Sequence, residues 1–387
     1  MANTLTNLIP DIYAALDVVS RELVGFIPAV ARDSSAARVA INQTLRIPAS
    51  PGNAAGGNIT PAMSLPSAAD QTFTNKTLTI SKQRFFPFSW SGEEQKAMDT
   101  GPGYLTLRQS QIAQAMRAAV NEMEADLATA ASAGASRAFG TTAGTAPVLA
   151  DWSGAKKILD DNGAPLSDRT TVINTTAGAA LRNTSALYQV NTSGESGLLR
   201  NGTLGNLYGF DIRESAQVIT PAAGTLSGAS TASGALTVGQ TTLTLKTTTG
   251  TGAVIAGDII TLANDANKYV VVSTTQAGAN PGTGETITIA APGIRMAQGA
   301  AERAITTFAA STRNCAFSRN ALLLATRLPA IPTDGDLASD RMTLTDPNSG
   351  LSFELAVYPG FRMNVYHVSV CWGVSVIKPE HLAIIIG

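Results

Sequence analysis

The sequence contains few of the side chains that carry most enzyme chemistry. Its 387 residues include two histidines, His367 and His381, and two cysteines, Cys315 and Cys371. Neither histidine stands in a Cys/His spacing that would hold zinc, so we expect both to be structural or solvated. Both cysteines stand among apolar residues, which favours buried free thiols and fits a reducing cytosol. Two cysteines allow one disulfide and exclude a disulfide framework.

Charge is also scarce. Charged residues make up 14% of the chain, against about 25% in a typical soluble protein. This shortage is expected of a subunit whose surface is buried in a permanent assembly, although a weakly charged monomer would share it. The 27 basic and 28 acidic residues include no Lys/Arg run. That argues against a dedicated nucleic-acid surface but allows a wall that lies near nucleic acid.

Long apolar runs and a targeting signal are missing as well. No run approaches the ~20 apolar residues that a membrane helix needs, and the most apolar stretch, Leu382–Ile386, has the length of a strand. Residues Met1–Pro10 lack the charged start and apolar core of a signal peptide. We therefore expect no membrane partner.

Motifs for nucleotide, metal or hydrolytic chemistry are not evident. Gly250-Thr251-Gly252 and Gly282-Thr283-Gly284 lack the lysine of a phosphate-binding loop, so we interpret them as turns. No Gly-x-Ser-x-Gly elbow with a downstream Asp and His is found. Asp334, Asp336 and Asp340 lack the bidentate glutamate of a calcium loop, which favours a solvated acidic turn. We predict no catalytic, cofactor-binding or metal site.

The first part of the chain predicts a helix and a long hairpin. Apolar residues three and four apart predict a helix over Asn7–Val24, which is marginal alone and should dock on a neighbour, in cis or in trans. Val39–Ile47 and Thr77–Ser81 predict a ribbon whose tip, Pro48–Ala69, is rich in Pro, Gly, Ser and Ala. Such a ribbon is unstable in isolation, so its tip is either disordered or supported by another subunit. The cluster Phe85, Phe86, Phe88 and Trp90 should anchor it to the core.

A long helix and an α/β region follow. Gly103–Ala131 predicts a helix with its apolar face at Ile112, Met116, Ala119, Val120, Met123 and Leu127, and with Glu122, Glu124 and Asp126 off that face. Glu93 and Glu94 open a shorter helical stretch, where carboxylates suit the positive helix end better than a catalytic role. Further helices are predicted over Trp152–Asp161 and Thr175–Arg182, and strands over Thr170–Asn174 and Phe210–Val218.

From Pro221 to about Thr306 the chain is dominated by Thr, Gly and Ala. Short alternating segments separated by turns predict a small all-β unit inserted into the α/β region. Its strands are expected at Thr241–Leu245, Asp258–Leu262, Tyr269–Ser273 and Thr286–Ile289. The α/β pattern then resumes with a strand over Asn314–Phe317 and a helix over Ser318–Thr326. The end predicts strands over Leu351–Tyr358, Phe361–Val376 and Ala383–Ile386, with a turn at Pro359-Gly360.

This order of elements resembles the major capsid proteins of tailed bacteriophages, which have the HK97-like fold. Three stretches carry the resemblance: Gly209–Ser215, Asn314–Leu322 with its Asn-x-Ala-Phe entry, and the closing segment Phe361–Gly387. The inserted β-unit is similar to that of the P22-like coat protein branch. The resemblance implies the α+β class. Residues 1–38 would form an N-terminal arm and helix, 39–90 an extended E-loop ribbon, and 91–149 a peripheral domain with the spine helix. Residues 150–220 would form the first half of the apical domain, 221–306 an inserted all-β domain, and 307–387 the second apical half with C-terminal strands that return to the peripheral domain.

The resemblance implies a non-enzymatic subunit that assembles as hexamers and pentamers into an icosahedral head around double-stranded DNA, in the virion. Its implied partners are further copies of itself, a scaffolding protein, a portal protein and a decoration protein. Lys76 and Lys82 are solvated ribbon lysines in our interpretation, and the alternative is an isopeptide cross-link to a neighbouring subunit's asparagine. The alternative functions are an encapsulin-like nanocompartment shell, a β-rich surface adhesin, and a hydrolase with an unrecognised site.

Overall fold

The computed structural model describes residues 23–49, 61, 74–98, 103–140, 143–188, 201–202, 204–246, 250–282, 284–346 and 349–387. Apart from their ends and Pro61, the helix expected over Asn7–Val24 and the ribbon tip expected over Pro48–Ala69 lie outside these residues. Both therefore stay predictions.

The α-helices lie before Asn206, and from there onward the described elements are strands and 3-10 turns. The helices are α1 (Phe26–Ala29), α2 (Gly92–Met98), α3 (Gly103–Gly134), α4 (Leu149–Asp161), α5 (Thr175–Arg182) and α6 (Ser185–Tyr188). The strands are β1 (Ala31–Val39), β2 (Thr44–Ala49), β3 (Thr74–Thr79), β4 (Lys82–Ser91), β5 (Arg137–Phe139), β6 (Arg169–Ile173), β7 (Asn206–Leu207), β8 (Phe210–Glu214), β9 (Thr242–Thr244), β10 (Ile259–Leu262), β11 (Lys268–Thr274), β12 (Thr286–Ile289), β13 (Ile305–Thr307), β14 (Arg313–Ser318), β15 (Leu322–Pro329), β16 (Asp340–Thr345), β17 (Ser352–Gly360), β18 (Met363–Val376) and β19 (Leu382–Ile386).

A six-stranded sheet is organised around β18. β4 pairs with β18 along one side, while β17 and β15 share its other side. β16 adds to β17, and β1 runs parallel to β15. Because side chains alternate along a strand, Val368, Val370 and Trp372 all reach one face. There they are buried against the 32-residue helix α3, which we call the spine helix.

A second sheet of eleven strands, which we call the central sheet, runs through the α/β region. Its main path is β13-β10-β11-β5-β19-β14-β6-β8-β7, with β12 added to β11 and β9 to β12. Cys315, Phe317 and Ile384 pack in the core that contains the spine helix, whereas Ala316 and Ile385 pack with residues of α4 and α5. Both faces are therefore covered around β14 and β19, which explains why β19 is a continuous apolar run.

Residues 221–306, which we predicted to be an inserted all-β unit and call the insertion, contain a hydrophobic cluster of their own, whose members lie between Leu226 and Ile305. Its four predicted strands are confirmed as β9 to β12, each to within one residue at either end. It also extends the central sheet, because β11 pairs with β5 through Lys268↔Ala138 and Tyr269↔Arg137. The buried Arg137 guanidinium donates to Asn267 Oδ1 at 2.9 Å and to Asn162 Oδ1 at 3.1 Å. Backbone and side chains thus join the insertion to the rest of the chain.

Two predicted elements are wrong. The helix expected over Ser318–Thr326 is a 3-10 turn, Arg319–Ala321, followed by strand β15. Leu322 and Leu324 face the spine-helix core while Leu323 and Ala325 face the ribbon, so burial on both sides hides the strand's alternation. The single strand expected over Val39–Ile47 is two strands, because β1 ends at Val39 and a turn with Asn42 at φ 67° precedes β2.

The closing segment also differs from expectation. The turn expected at Pro359-Gly360 falls at Phe361-Arg362, where Arg362 adopts φ 57°. Earlier in the chain, the strand expected over Phe210–Val218 ends at Glu214. β18 belongs to the six-stranded sheet, but β19 lies between β5 and β14 in the eleven-stranded sheet. The last strand therefore returns to the central sheet, and the segment joins both sheets.

Candidate assembly surfaces

The ribbon is an exposed two-stranded element, formed by β2 and β3. β2 and β3 pair antiparallel from Thr44↔Thr79 to Ala49↔Thr74 and, among the described residues, pair with no other strand. The root of the ribbon is buried, since Leu78 and Ile80 pack with Val39 and with the side chains of Ala325 and Cys371. The ribbon root therefore lies on the face of the six-stranded sheet opposite the spine helix.

Gly373 of β18 allows this close crossing. A side chain at Gly373 would collide with the carbonyl oxygen of Thr79 and the Leu78 side chain. The neighbouring Cys371 is buried and free, as is Cys315, which confirms the expectation for both cysteines. Burial raises the pKa of Cys371 to about 11 and that of Cys315 to about 12. Both are therefore packing residues with protonated thiols.

A charged cluster fastens β4 and β18 to the spine helix. Asp126 accepts hydrogen bonds from Lys82 Nζ and from the buried Trp372 Nε1, both at 2.8 Å. Glu122 accepts from Arg84 Nε at 2.9 Å and from Lys82 at 3.3 Å. Partial burial would lower the pKa of Lys82, but its bonds and charge interactions with Asp126 and Glu122 outweigh burial and raise it. Lys82 is thus a paired cation, not the solvated lysine we expected.

Glu124 fixes the point at which the N-terminal segment reaches the body. Its carboxylate is fully buried and accepts the backbone N–H groups of Gly25 at 2.6 Å, Phe26 at 2.6 Å and Ile27 at 3.0 Å. Phe26 stacks on Phe317 of β14 with ring centroids 6.0 Å apart. The segment is therefore bound to both the spine helix and the central sheet.

We expected Glu124 to lie off the apolar face of the long helix, and the structure corrects this. Its spacing of four from Val120 and three from Leu127 places it on the buried side. That spacing was visible in the sequence. The partner was not, because three unpaired backbone donors at the start of a four-residue helix have no side-chain signature.

The other residues singled out in the sequence are scattered. His367 lies between the rings of Phe85 and Tyr358, each 4.9 Å away, and burial lowers its pKa. Asp336 pairs with Arg341 and accepts from the Tyr358 hydroxyl at 3.1 Å. Burial also lowers the pKa of His381, which lies in a 3-10 turn before β19.

Glu94 behaves as expected of a residue at a helix start. Its carboxylate accepts the Ser91 N–H at 2.8 Å, and its own N–H donates to Ser91 Oγ at 3.2 Å. This reciprocal pair begins α2. Within the described ranges, no group of three or more His, Cys, Asp or Glu side chains could hold a metal ion. No helix in the same ranges has the length and apolar character that a membrane crossing requires.

Comparison with known proteins establishes the fold. No protein-family model and no curated protein matches the chain. A solved structure from Mycobacterium phage Che8 is similar with a TM-score of 0.51 at 14% identity, covering 99% of this chain and 98% of that one. The capsid structure of cyanophage P-SCSP1u is similar with a TM-score of 0.52 at 12% identity, covering 100% and 95%. The chain therefore has the fold of these two phage structures over nearly its whole length, and the mixed class of helices and large sheets expected from the sequence is confirmed.

Proposed function

We propose that the chain is a major capsid protein that self-assembles as hexamers and pentamers into the icosahedral head of a tailed phage, around its double-stranded DNA. The ribbon carries this proposal. It extends from the body as two paired strands that find no third strand among the described residues. A two-stranded hairpin is marginally stable in water, so a neighbouring subunit should cover it.

Other features support the same function. The fold is that of the cyanophage capsid structure, and it spans nearly all of both chains. Charge is sparse, as expected of a subunit with most of its outer surface in permanent contacts. Glu124 and the Lys82 cluster hold the spine helix, the six-stranded sheet and the N-terminal segment together as one body. Such a body can present its ribbon in a fixed direction.

The role is structural rather than enzymatic, and the site is the subunit surface. The partners we propose are further copies of this chain, a scaffolding protein during assembly, a portal protein and a decoration protein. DNA would lie near the inner wall without a dedicated binding surface, because the sequence contains no Lys/Arg run. The encapsulin-like alternative is not favoured, since the two similar structures described above come from phages.

Assembly in a bacterial host tests this function. The chain would be expressed with and without a cognate scaffolding protein and examined by sedimentation and negative-stain microscopy. We expect closed shells, and Leu78→Asp at the ribbon root should abolish them, because a carboxylate would enter the buried cluster around Cys371. Leu337→Asp is the matched control, since Leu337 is 85% exposed. A wild-type chain that stays monomeric at high concentration under both conditions contradicts the proposal.

A further inference from the structure

An arginine side chain is buried where the insertion meets the central sheet. Arg313 of β14 is 1% exposed, and it is the one charged member of the largest fully buried side chains in the described part of the chain. Its backbone N–H donates to the Ile219 carbonyl, just before the insertion, at 3.0 Å. Its Nη2 donates to the Gly257 carbonyl at 3.5 Å, while Nε and Nη1 have no hydrogen-bond partner within the described ranges. A guanidinium buried with so few acceptors needs another group to compensate its charge.

A buried carboxylate of the insertion supplies that charge. Asp258 is also 1% exposed. Its Oδ1 accepts the Gly224 N–H at 2.9 Å and its Oδ2 accepts the Ile255 N–H at 2.8 Å. Both donors belong to the insertion, so these bonds fix Asp258 within it. Because Arg313 belongs to the central sheet, the two charges lie on opposite sides of the contact between the insertion and that sheet, which we call the joint.

The two charges act on each other across the joint. Burial raises the pKa of Asp258, while its two backbone hydrogen bonds and the positive charge of Arg313 oppose this shift. Burial also lowers the pKa of Arg313, and the Asp258 carboxylate is the strongest influence that opposes it. Among the described residues, the Cys315 thiol is the one other titratable group that acts on this pair, and burial keeps it protonated by raising its pKa to about 12. The charge balance of the joint therefore depends on Arg313 and Asp258.

We propose that Arg313 keeps the insertion docked on the central sheet at neutral pH, by compensating the charge of the buried Asp258 across the joint. Without Arg313, the ionised carboxylate would be a buried charge with no counter-charge, and it would gain hydration only if the joint opened. Arg313 is thus a positioning residue that acts through Asp258. The pairing lies within one chain and does not require shell formation, so it can be tested whether or not the proposed function holds.

The pairing has a definite dependence on pH. Because burial raises the pKa of Asp258, its ionisation disfavours the closed joint as pH rises above the ordinary value of 3.8. Arg313 reduces this penalty. Its contribution to the joint is therefore present when Asp258 is ionised and absent when Asp258 is protonated, which a side chain that only fills space would not show.

Arg313→Met tests this dependence, because it removes the charge and keeps a long side chain. The measurement is hydrogen exchange at residue 313 in the unassembled full chain, since this N–H reports the contact with Ile219. The ratio of the exchange rate in the variant to that in wild type should rise at least about tenfold between pH 3.8 and neutral pH, as a shift of one pKa unit implies. Arg319→Met, at an exposed position, is the matched control and should leave the ratio constant. A ratio that does not change with pH for Arg313→Met overturns the inference.

A rescue experiment separates charge compensation from damage to packing. Asp258→Asn leaves the Arg313 cation buried without a counter-charge, so exchange at residue 313 should accelerate at neutral pH. Adding Arg313→Met removes that cation and should slow exchange again, although a second substitution that only damaged packing would accelerate it further. A double variant that exchanges as fast as Asp258→Asn, or faster, overturns the inference. Arg313→Gln takes the place of Arg313→Met in both experiments if the latter does not fold.

Discussion

The carboxylate of Glu124 accepts the backbone N–H of Phe26 at 2.6 Å, in a position with no solvent-exposed surface. One side chain of the spine helix thus takes the place of a helix cap for a segment about a hundred residues earlier in the chain. The hydrogen bonds that join Gly25, Phe26 and Ile27 to the spine helix therefore depend on a single buried acid.

Glu124→Gln should loosen this attachment. A glutamine has one acceptor oxygen and presents donors to the N–H groups of Gly25, Phe26 and Ile27, so we expect a loss of roughly 2–3 kcal/mol in the free energy of unfolding. Limited proteolysis should cut the chain before residue 30 faster than in wild type. Glu93→Gln, at an exposed position, is the control and should change neither quantity. Equal cleavage rates for both variants would contradict the anchoring role.

The same residue predicts a pH dependence. Burial raises the pKa of Glu124 above its usual 4.5 and outweighs the hydrogen bonds from Phe26, Ile27, Gly25 and Ser215 that lower it. The folded state then binds this proton more tightly than the unfolded chain, so ionisation costs stability as pH rises above 4.5. We therefore expect the difference in the free energy of unfolding between wild type and Glu124→Gln, measured by urea titration, to fall as pH rises above 4.5. A difference that grows with pH would refute the prediction.

The close approach of the ribbon root to Gly373 predicts that one added methyl group at this position lowers stability. Gly373→Ala places its Cβ against the Thr79 carbonyl and the Leu78 side chain, so the ribbon root must move, at a cost of about 1–3 kcal/mol. Hydrogen exchange of residues 74–81 should accelerate, and shell formation should weaken. Gly299→Ala is the control, because the nearest atom to its added methyl is the end of the Arg303 side chain at 3.7 Å. Unchanged exchange in Gly373→Ala would show that the root is not held as described.

The thiols predict a labelling pattern. Since burial raises the pKa of Cys315 to about 12 and of Cys371 to about 11, neither should react with iodoacetamide near neutral pH until the chain unfolds. Cys371 is buried beneath the ribbon root, whereas Cys315 is buried in the core that contains the spine helix. Gly373→Ala should therefore speed the labelling of Cys371 and leave Cys315 unreactive. Equal labelling of both thiols in folded wild type would count against their burial.

Much of the fold was visible in the sequence where local pattern and tertiary role agree. The helix α5 begins and ends where its pattern predicted, and the spine helix is only extended to Gly134. The strand β12 also matches its alternation. In these elements one face is buried and the other is not, so periodicity reports the structure.

The failures occur where distant segments decide the outcome. β1 has no apolar alternation and becomes a strand because it pairs in parallel with β15, nearly three hundred residues later. β15 resembles a helix because the spine helix covers one face and the ribbon root the other. Among the candidate surfaces, the ribbon could be predicted from the sequence. The role of Glu124 could not, since it depends on which backbone N–H groups lie beside its carboxylate.

The pairing of β11 with β5 has a mechanical consequence. The insertion shares backbone hydrogen bonds with the central sheet, and Arg137 adds side-chain links to the end of α4. Any rotation of the central sheet during shell growth should therefore turn the insertion through the same angle, because the connection between them is rigid. A fluorescent or heavy-atom label at the exposed Val272 would then report the tilt of the whole subunit.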